Sequence, residues 1–171
     1  MTRRETRSVQ VGNLEIGSAH PIWVQSMTST DTDDVAATLD QIQRLVAAGC
    51  EIVRVTVNND AAADALPAIR AACPVPLVAD IHFTHRLALR SIEAGVDKVR
   101  LNPGNIGSVE RVKEVVRAAA DANVALRIGV NSGSVEADLL DKYGYPCPEA
   151  LVASAMRHCM TIEDMGFSNF V

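Results

Sequence analysis

Short apolar runs alternate with longer stretches of helical periodicity along most of this chain. The runs are Ile22 to Met27, Glu51 to Val57, Pro76 to His82, Lys98 to Asn102, Ala125 to Asn131 and Phe167 to Val171. Each is of strand length and rich in Val, Ile or Leu. Between them, Val35, Leu39, Ile42 and Val46 recur at helical spacing and stop at Gly49. Thr84 is placed to cap a helix carrying Leu87, Ala88 and Ile92 that stops at Gly95. Ser108 is placed to cap one carrying Val109, Val112, Val116 and Ala119. Pro148 suits the first turn of a helix with Leu151, Val152, Ala155, Met156 and Cys159. Pro67 is expected to split Asp60 to Ala72 into two short helices, because a mid-helix proline loses a hydrogen bond and clashes with the turn before it. Ahead of these, Val9, Val11, Leu14 and Ile16 flank Gly12-Asn13, which predicts a small β-hairpin.

Strand–helix alternation predicts a parallel sheet. Gln25, Arg54, Asp80, Arg100 and Arg127 read as equivalent positions 29, 26, 20 and 27 residues apart, a period that fits repeated βα units. Three helix-to-strand joints repeat a glycine: Gly49 before Val53, Gly95 before Val99, Gly166 before Phe170. The pattern alone admits either a (β/α)8 barrel or an open doubly wound sheet.

The polar positions favour the barrel. Strands of a parallel sheet are covered on both faces and read apolar throughout. Here Val53, Val55 and Val57 oppose Arg54 and Thr56. Leu77, Ala79 and Ile81 oppose Asp80 and His82. Val99 and Leu101 oppose Arg100 and Asn102, and Leu126, Ile128 and Val130 oppose Arg127, Gly129 and Asn131. The polar set gathers toward the carboxyl ends of the strands, where (β/α)8 enzymes hold their sites. Any one of these residues has a plainer reading: a strand arginine in an ion pair, His82 hydrogen-bonded in a core, Asp80 with Arg100 as an interior salt bridge. The coincidence across four strands is what argues for a site. Three arginines in one lumen repel, and Asp80 is expected to neutralise only one of them. The surplus suggests an anionic ligand, and one with two phosphoryl groups matches better than one with a single charge. The loops 102–107 and 129–134 carry glycines that allow close backbone approach, though neither matches a Walker loop or a dinucleotide fingerprint.

Composition narrows the partners. The net charge of -5 repels nucleic acid and anionic membranes, and 4% aromatic residues leave few platforms for stacking bases. No apolar run is long enough to span a membrane, and Met1 to Arg7 lacks the apolar region of a signal peptide. The chain is therefore expected in the cytoplasm, with no nucleic-acid or membrane partner. Cys50, Cys73, Cys147 and Cys159 form no CxxC pair, so neither a disulfide framework nor a metal site is expected of them.

The segments 21–28 (PIWVQSMT), 51–55 (EIVRV), 78–83 (VADIHF), 100–107 (RLNPGNIG) and 127–131 (RIGVN) resemble the hydroxymethylbutenyl diphosphate synthase family, also called IspG or GcpE. The resemblance runs from about Thr6 to Val171. It implies an iron-sulfur oxidoreductase of the methylerythritol phosphate route to isoprenoids. Such enzymes open the ring of methylerythritol 2,4-cyclodiphosphate by two-electron reduction, with electrons from flavodoxin or ferredoxin through a 4Fe-4S cluster. Carried over by motif, Arg54, Arg100 and Arg127 correspond to diphosphate clamps. Asn102 and Asn131 correspond to hydrogen-bonding partners of the substrate. Gln25, Asp80 and His82 correspond to positioning groups, with His82 and Asp80 the catalytic candidates.

The resemblance also implies what to expect of the remainder. A whole barrel takes about 250 residues. This chain is thus expected to be the N-terminal part of a TIM-type barrel: about six strands in a single incomplete domain, 1–171, behind a short hairpin. The family's C-terminal iron-sulfur domain and its head-to-tail homodimer fall outside it. Alone it is expected to bind no cluster, to turn over no substrate and to be poorly soluble. Two other classes stand beside this reading: a pterin-binding transferase barrel and a non-catalytic anion-binding half-barrel.

Overall fold

The structure is a computed structural model that describes residues 4–171. The hairpin forms as expected, with β1 (Val9–Val11) antiparallel to β2 (Leu14–Ile16) and Gly12 at φ +59° in the turn. Five parallel strands follow: β3 (Gln25–Met27), β4 (Ile52–Thr56), β5 (Leu77–Ile81), β6 (Lys98–Leu101) and β7 (Ala125–Ile128). They lie in strict sequence order, each beside its successor. A doubly wound sheet reverses its order part-way, whereas a (β/α) barrel does not, so the order assigns a partial barrel. The Phe167-to-Val171 run takes the next position. It has one parallel bridge, Leu126 to Phe170, flanked by backbone bonds from Leu126 to Asn169 and from Ile128 to Val171.

The sheet is curled. Lys98 on β6 reaches Gln25 on β3, Nζ to Oε1 3.4 Å. In a flat sheet those strands would stand three steps of about 4.8 Å apart, too far for an easy contact.

The helices are α1 (Val35–Ala47), α2 (Asp60–Ala72), α3 (His85–Glu93), the single turn α4 (Pro103–Ile106), α5 (Val109–Asp121), α6 (Ala137–Tyr143) and α7 (Pro148–Glu163). They cover the outer face, where Val53, Val55, Val57, Leu77, Ala79, Ile81, Val99, Leu101 and Leu126 are buried against Ile42, Leu66, Ile69, Ala88, Val112 and Val116. Each of the Val, Leu and Ile side chains contributes about 1.5–3 kcal/mol by leaving water, so this face fixes which way the strands turn. Gly49, Gly95 and Gly166 all hold positive φ (+95°, +79° and +76°), which explains the glycine repeated at these three joints.

Several local expectations need correction. The helix α2 runs unbroken through Pro67. The Pro67 ring lies on the exposed side of α2, while Ala63, Leu66 and Ile69 are buried and hold the helix to the core, which outweighs the one lost backbone bond. Thr84 and Ser108 occupy N-cap positions without a side-chain cap bond. Asp34 and Asn59 are the capping side chains, accepting from Ala37 N and Ala62 N. Val109, Val152 and Met156 are exposed, because α5 turns Val112 and Val116 inward and α7 turns in Ala150, Ser154 and Ile162. Ile22 and Val24 are exposed on the edge of the sheet, so only Gln25–Met27 of that run is strand. At the other end, β7 stops at Ile128, short of Asn131. Among the described residues no helix is long and apolar enough to cross a membrane.

Candidate functional site

The inner face is read from the register. Met27, Arg54, Val78, Lys98 and Ala125 are successive cross-strand partners, and above them so are Thr56, Asp80, Arg100 and Arg127. Gln25 pairs with Ile52 rather than Arg54, so the equivalence drawn from spacing slips by two residues on β3 and β4. A slip of two keeps every side chain on its face, and the tilt of barrel strands sets which residues meet.

Asp80 is the hub. Its side chain is 5% exposed, and its two oxygens reach Arg100 Nη1 at 3.1 Å and Arg54 Nε at 3.5 Å. One carboxylate therefore holds two arginines, not one as expected. It can do so because Arg100 is its direct cross-strand partner and Arg54 stands one strand over on the same face. His82 Nε2 lies 4.0 Å from the same carboxylate and is 38% exposed at the rim. Arg54 also rests its Nε and Nη2 on Met27 Sδ, at 3.3 and 3.2 Å.

Among the described residues no carboxylate lies within ion-pair distance of Arg127. Burial pushes its pKa down, Arg54 and Arg100 add to that, and Asp80 only partly offsets it. Lys98 is a fourth cation on this face, absent from the residues singled out by sequence. It is 2% exposed, with Gln25 Oε1 as its hydrogen-bond partner. Burial, then Arg127 and Arg54, push its pKa down to about 8. Its signal was present in the sequence: it shares the parity of Arg100 on the same strand. Among the described residues the inner face thus sets four cations against one carboxylate.

Two loops cap β6 and β7, and two glycines let them close. A Cβ on Gly129 would stand 2.7 Å from Arg100 Nη2 and 2.9 Å from its Cζ, so the bare backbone just after β7 is what leaves room for that guanidinium. A Cβ on Gly104 would strike the Ser134 carbonyl oxygen. Beside this contact Asn102, 1% exposed, donates from Nδ2 to Ser134 Oγ at 2.8 Å, while its Oδ1 has no partner. Asn131 stands exposed beyond the strand. Its Oδ1 accepts from Gly133 N at 3.0 Å and caps the 3-10 turn Ser132–Ser134. The structure therefore brings Gln25, Arg54, Asp80, Arg100 and Arg127 together, with His82 at the rim and Asn102 under the loop. Asn131 is held apart in its own turn. A cavity of about 550 Å³ lies beside Gln25 and Ile52 against Ile16 and Trp23, and is lined by none of these three arginines.

This arrangement coincides with a known family. Residues 6–171 match the GcpE TIM-barrel domain. The chain belongs to that family. Among its relatives, the 4-hydroxy-3-methylbut-2-en-1-yl diphosphate synthase (flavodoxin) of Brevibacillus brevis is 56% identical over 169 residues, covering 99% of this chain and 47% of the relative. The protein of that name from Nitratidesulfovibrio vulgaris is 56% identical over 167 residues, covering 98% and 43%. The chain spans about half the length of the curated relatives it matches. A solved 7,8-dihydropteroate synthase from Vibrio fischeri superposes with a TM-score of 0.58 over 92% of this chain and 62% of its own, at 14% identity, which shows the shared barrel fold alone.

A GcpE barrel of this kind was expected to work with a 4Fe-4S cluster. The cysteines present do not fit one. Cys50 and Cys73 are buried, with their thiols directed to the backbone carbonyls of Ile52 (3.1 Å) and Val75 (3.2 Å). Burial raises the pKa of Cys73, against the thiolate that iron requires. Among the described residues no three His, Cys, Asp or Glu side chains converge.

Proposed function

We propose that this chain is the substrate-holding barrel of a 4-hydroxy-3-methylbut-2-enyl diphosphate synthase, and that its lumen binds methylerythritol 2,4-cyclodiphosphate. The observation that carries this reading is the inner face of Arg54, Lys98, Arg100 and Arg127 balanced by Asp80 alone. Buried cations without partners are costly, and a small diphosphate supplies the missing charge in the form that guanidinium forks bind best. Asp80 keeps Arg54 and Arg100 aligned before the ligand arrives, so binding needs little reorganisation. Arg127, which lacks a carboxylate, takes a phosphoryl group directly. Asn102 offers its free Oδ1 to a ligand hydroxyl, Gln25 flanks the ligand, Asn131 approaches it from the rim turn that it caps, and His82 stands at the rim as the group placed to pass a proton.

A 4Fe-4S cluster would supply the two electrons; the cysteines of this chain do not fit it, so its ligands would come from a C-terminal domain of the family, reaching the barrel from a second subunit of a homodimer. Flavodoxin or ferredoxin is the electron donor, and the names of the relatives support flavodoxin. The work is done in the cytoplasm.

The test is calorimetric titration of the protein with the cyclodiphosphate, beside an Arg100→Ala variant. Binding that weakens at least about tenfold in the variant, a loss of 1.4 kcal/mol, is the expected result. Folded protein that ignores the cyclodiphosphate and binds a pterin would overturn the reading in favour of a transferase barrel.

A further inference from the structure

The loop between β3 and α1 contains a second cavity, of about 200 Å³, at the carboxyl ends of β3 and β4. Every residue that lines it is polar, among them Thr28, Asp31, Thr32, Thr56 and Asn58. Thr28 and Thr32 are 7% and 5% exposed, and neither hydroxyl has a hydrogen-bond partner among the described residues. Their neighbours do find partners. Ser29 is held twice by Gln41: its N donates to Gln41 Oε1 at 2.9 Å, and its Oγ accepts from Gln41 Nε2 at 3.0 Å. Thr30 Oγ1 meets Thr38 Oγ1 at 2.9 Å, and Thr38 Oγ1 donates to the Asp31 carbonyl at 3.2 Å. The loop is therefore pinned to α1, and two of its hydroxyls are left open in a preformed hollow. Buried hydroxyls are nearly always bonded, so two in one cavity point to an occupant.

The lining chemistry selects that occupant. No cationic side chain lines the cavity, so it is not built for a phosphoryl group. Asp31 is its single carboxylate, which is poor for a divalent cation. A hydroxyl both donates and accepts, and so do Thr28 and Thr32. The volume is well above the roughly 30 Å³ of one water. Thr56 ties the hollow to the cationic face: it is the cross-strand partner of Asp80 and stands two residues beyond Arg54 on the same face.

We infer that this hollow is the subsite for the neutral, hydroxyl-bearing carbon portion of a phosphorylated polyol whose phosphoryl groups lie on the arginines. The inference rests on the diphosphate reading for the charged end and adds the polyol end. It makes Thr28 and Thr32 specificity residues, which reject a diphosphate that lacks hydroxyls because such a ligand leaves them unpaired.

The experiment compares three probes on the protein: methylerythritol cyclodiphosphate, inorganic pyrophosphate, and free methylerythritol at millimolar concentration followed by ligand-observed NMR. Wild type is compared with Thr28→Val, Thr32→Val and Thr32→Ser. The Val variants are expected to weaken cyclodiphosphate binding about tenfold and to abolish the methylerythritol signal. Pyrophosphate binding is expected to stay unchanged, and Thr32→Ser to restore wild-type behaviour. Their melting temperatures are expected to hold or rise, since an unpartnered buried hydroxyl stabilises nothing in the free protein. A merely structural hydroxyl would lower them. Equal weakening of cyclodiphosphate and pyrophosphate, or no change with any probe, would overturn the subsite and leave the hollow as a water pocket. If the diphosphate reading alone is wrong, wild type ignores both diphosphates yet still shows the Thr-dependent methylerythritol signal. Silence with all three probes overturns both.

Discussion

Replacing Lys98 with Met should stabilise the free protein and at the same time weaken its hold on an anion. The side chain is 2% exposed, and its pKa is pushed down to about 8 from 10.5 by burial, Arg127 and Arg54. That gap corresponds to a cost on the order of 3 kcal/mol for keeping the ammonium charged in the fold. The sign follows from proton binding. Between pH 8 and 10.5 the unfolded chain holds more protons than the folded one, so this group's contribution to stability rises with pH. The penalty is fully present below about pH 8 and fades as pH approaches 10.5. Met has nearly the same volume and no charge to bury, so Lys98→Met should gain about 1–3 kcal/mol at pH 7, and the gain should shrink steadily toward pH 10. Urea unfolding of both proteins at pH 7, 8, 9 and 10 measures it. A bound diphosphate would restore the ammonium's ordinary pKa, so binding at pH 8.5 should take up about three-quarters of a proton. Calorimetry in buffers of different ionisation enthalpy reads that uptake, which Lys98→Met should abolish. A variant less stable than wild type at pH 7, or a difference that does not change with pH, would refute the account of Lys98 as an uncompensated cation.

Gly129→Ala should push the Arg100 guanidinium off β7 and weaken diphosphate binding about tenfold, with little change in melting temperature; unchanged affinity would mean the guanidinium has room to spare. Asp80→Asn removes the one carboxylate shared by Arg54 and Arg100, and should cost about 3 kcal/mol in urea unfolding, a loss that added pyrophosphate partly reverses. Pro67→Ala should raise the melting temperature by the equivalent of about 1–3 kcal/mol, since it restores a backbone donor to a helix that already runs straight through; a lower melting temperature would show that the ring packs usefully.

Strand order and facing were legible because alternation at period two is a local property of the pleat, and Arg54, Asp80, Arg100 and Arg127 obeyed it. Cross-strand partnership was not, because tilt decides whether Arg54 meets Gln25 or Met27, and tilt belongs to the closed sheet. Lys98 was overlooked as the first residue of its strand, next to Asp97, where it reads as turn polarity. The two-armed use of Asp80 depends on side-chain reach across three strands, which no spacing rule encodes. The turn-capping bond of Asn131 was hidden for a related reason: an Asn beside Ser-Gly-Ser serves its own turn as readily as a ligand, and here β7 ends before it. The hollow at Thr28 and Thr32 was hidden in a run of threonines that looks like any polar loop.

The contact between Gly104 and Ser134 makes the rim over β6 and β7 one mechanical part. Neither loop can shift without dragging the other, and the Asn102 amide is clamped between them. Drift in ligand preference would therefore be carried by the other half of the mouth, where the threonine loop is pinned to its own helix α1 rather than to a second loop and Phe83 is exposed. Inherited variation should be scarce along Asn102–Ser108 and Asn131–Val135 and free at the opposite lip. On the proposed function, a barrel built this way would keep its grip on phosphate while it changes what the phosphate is attached to.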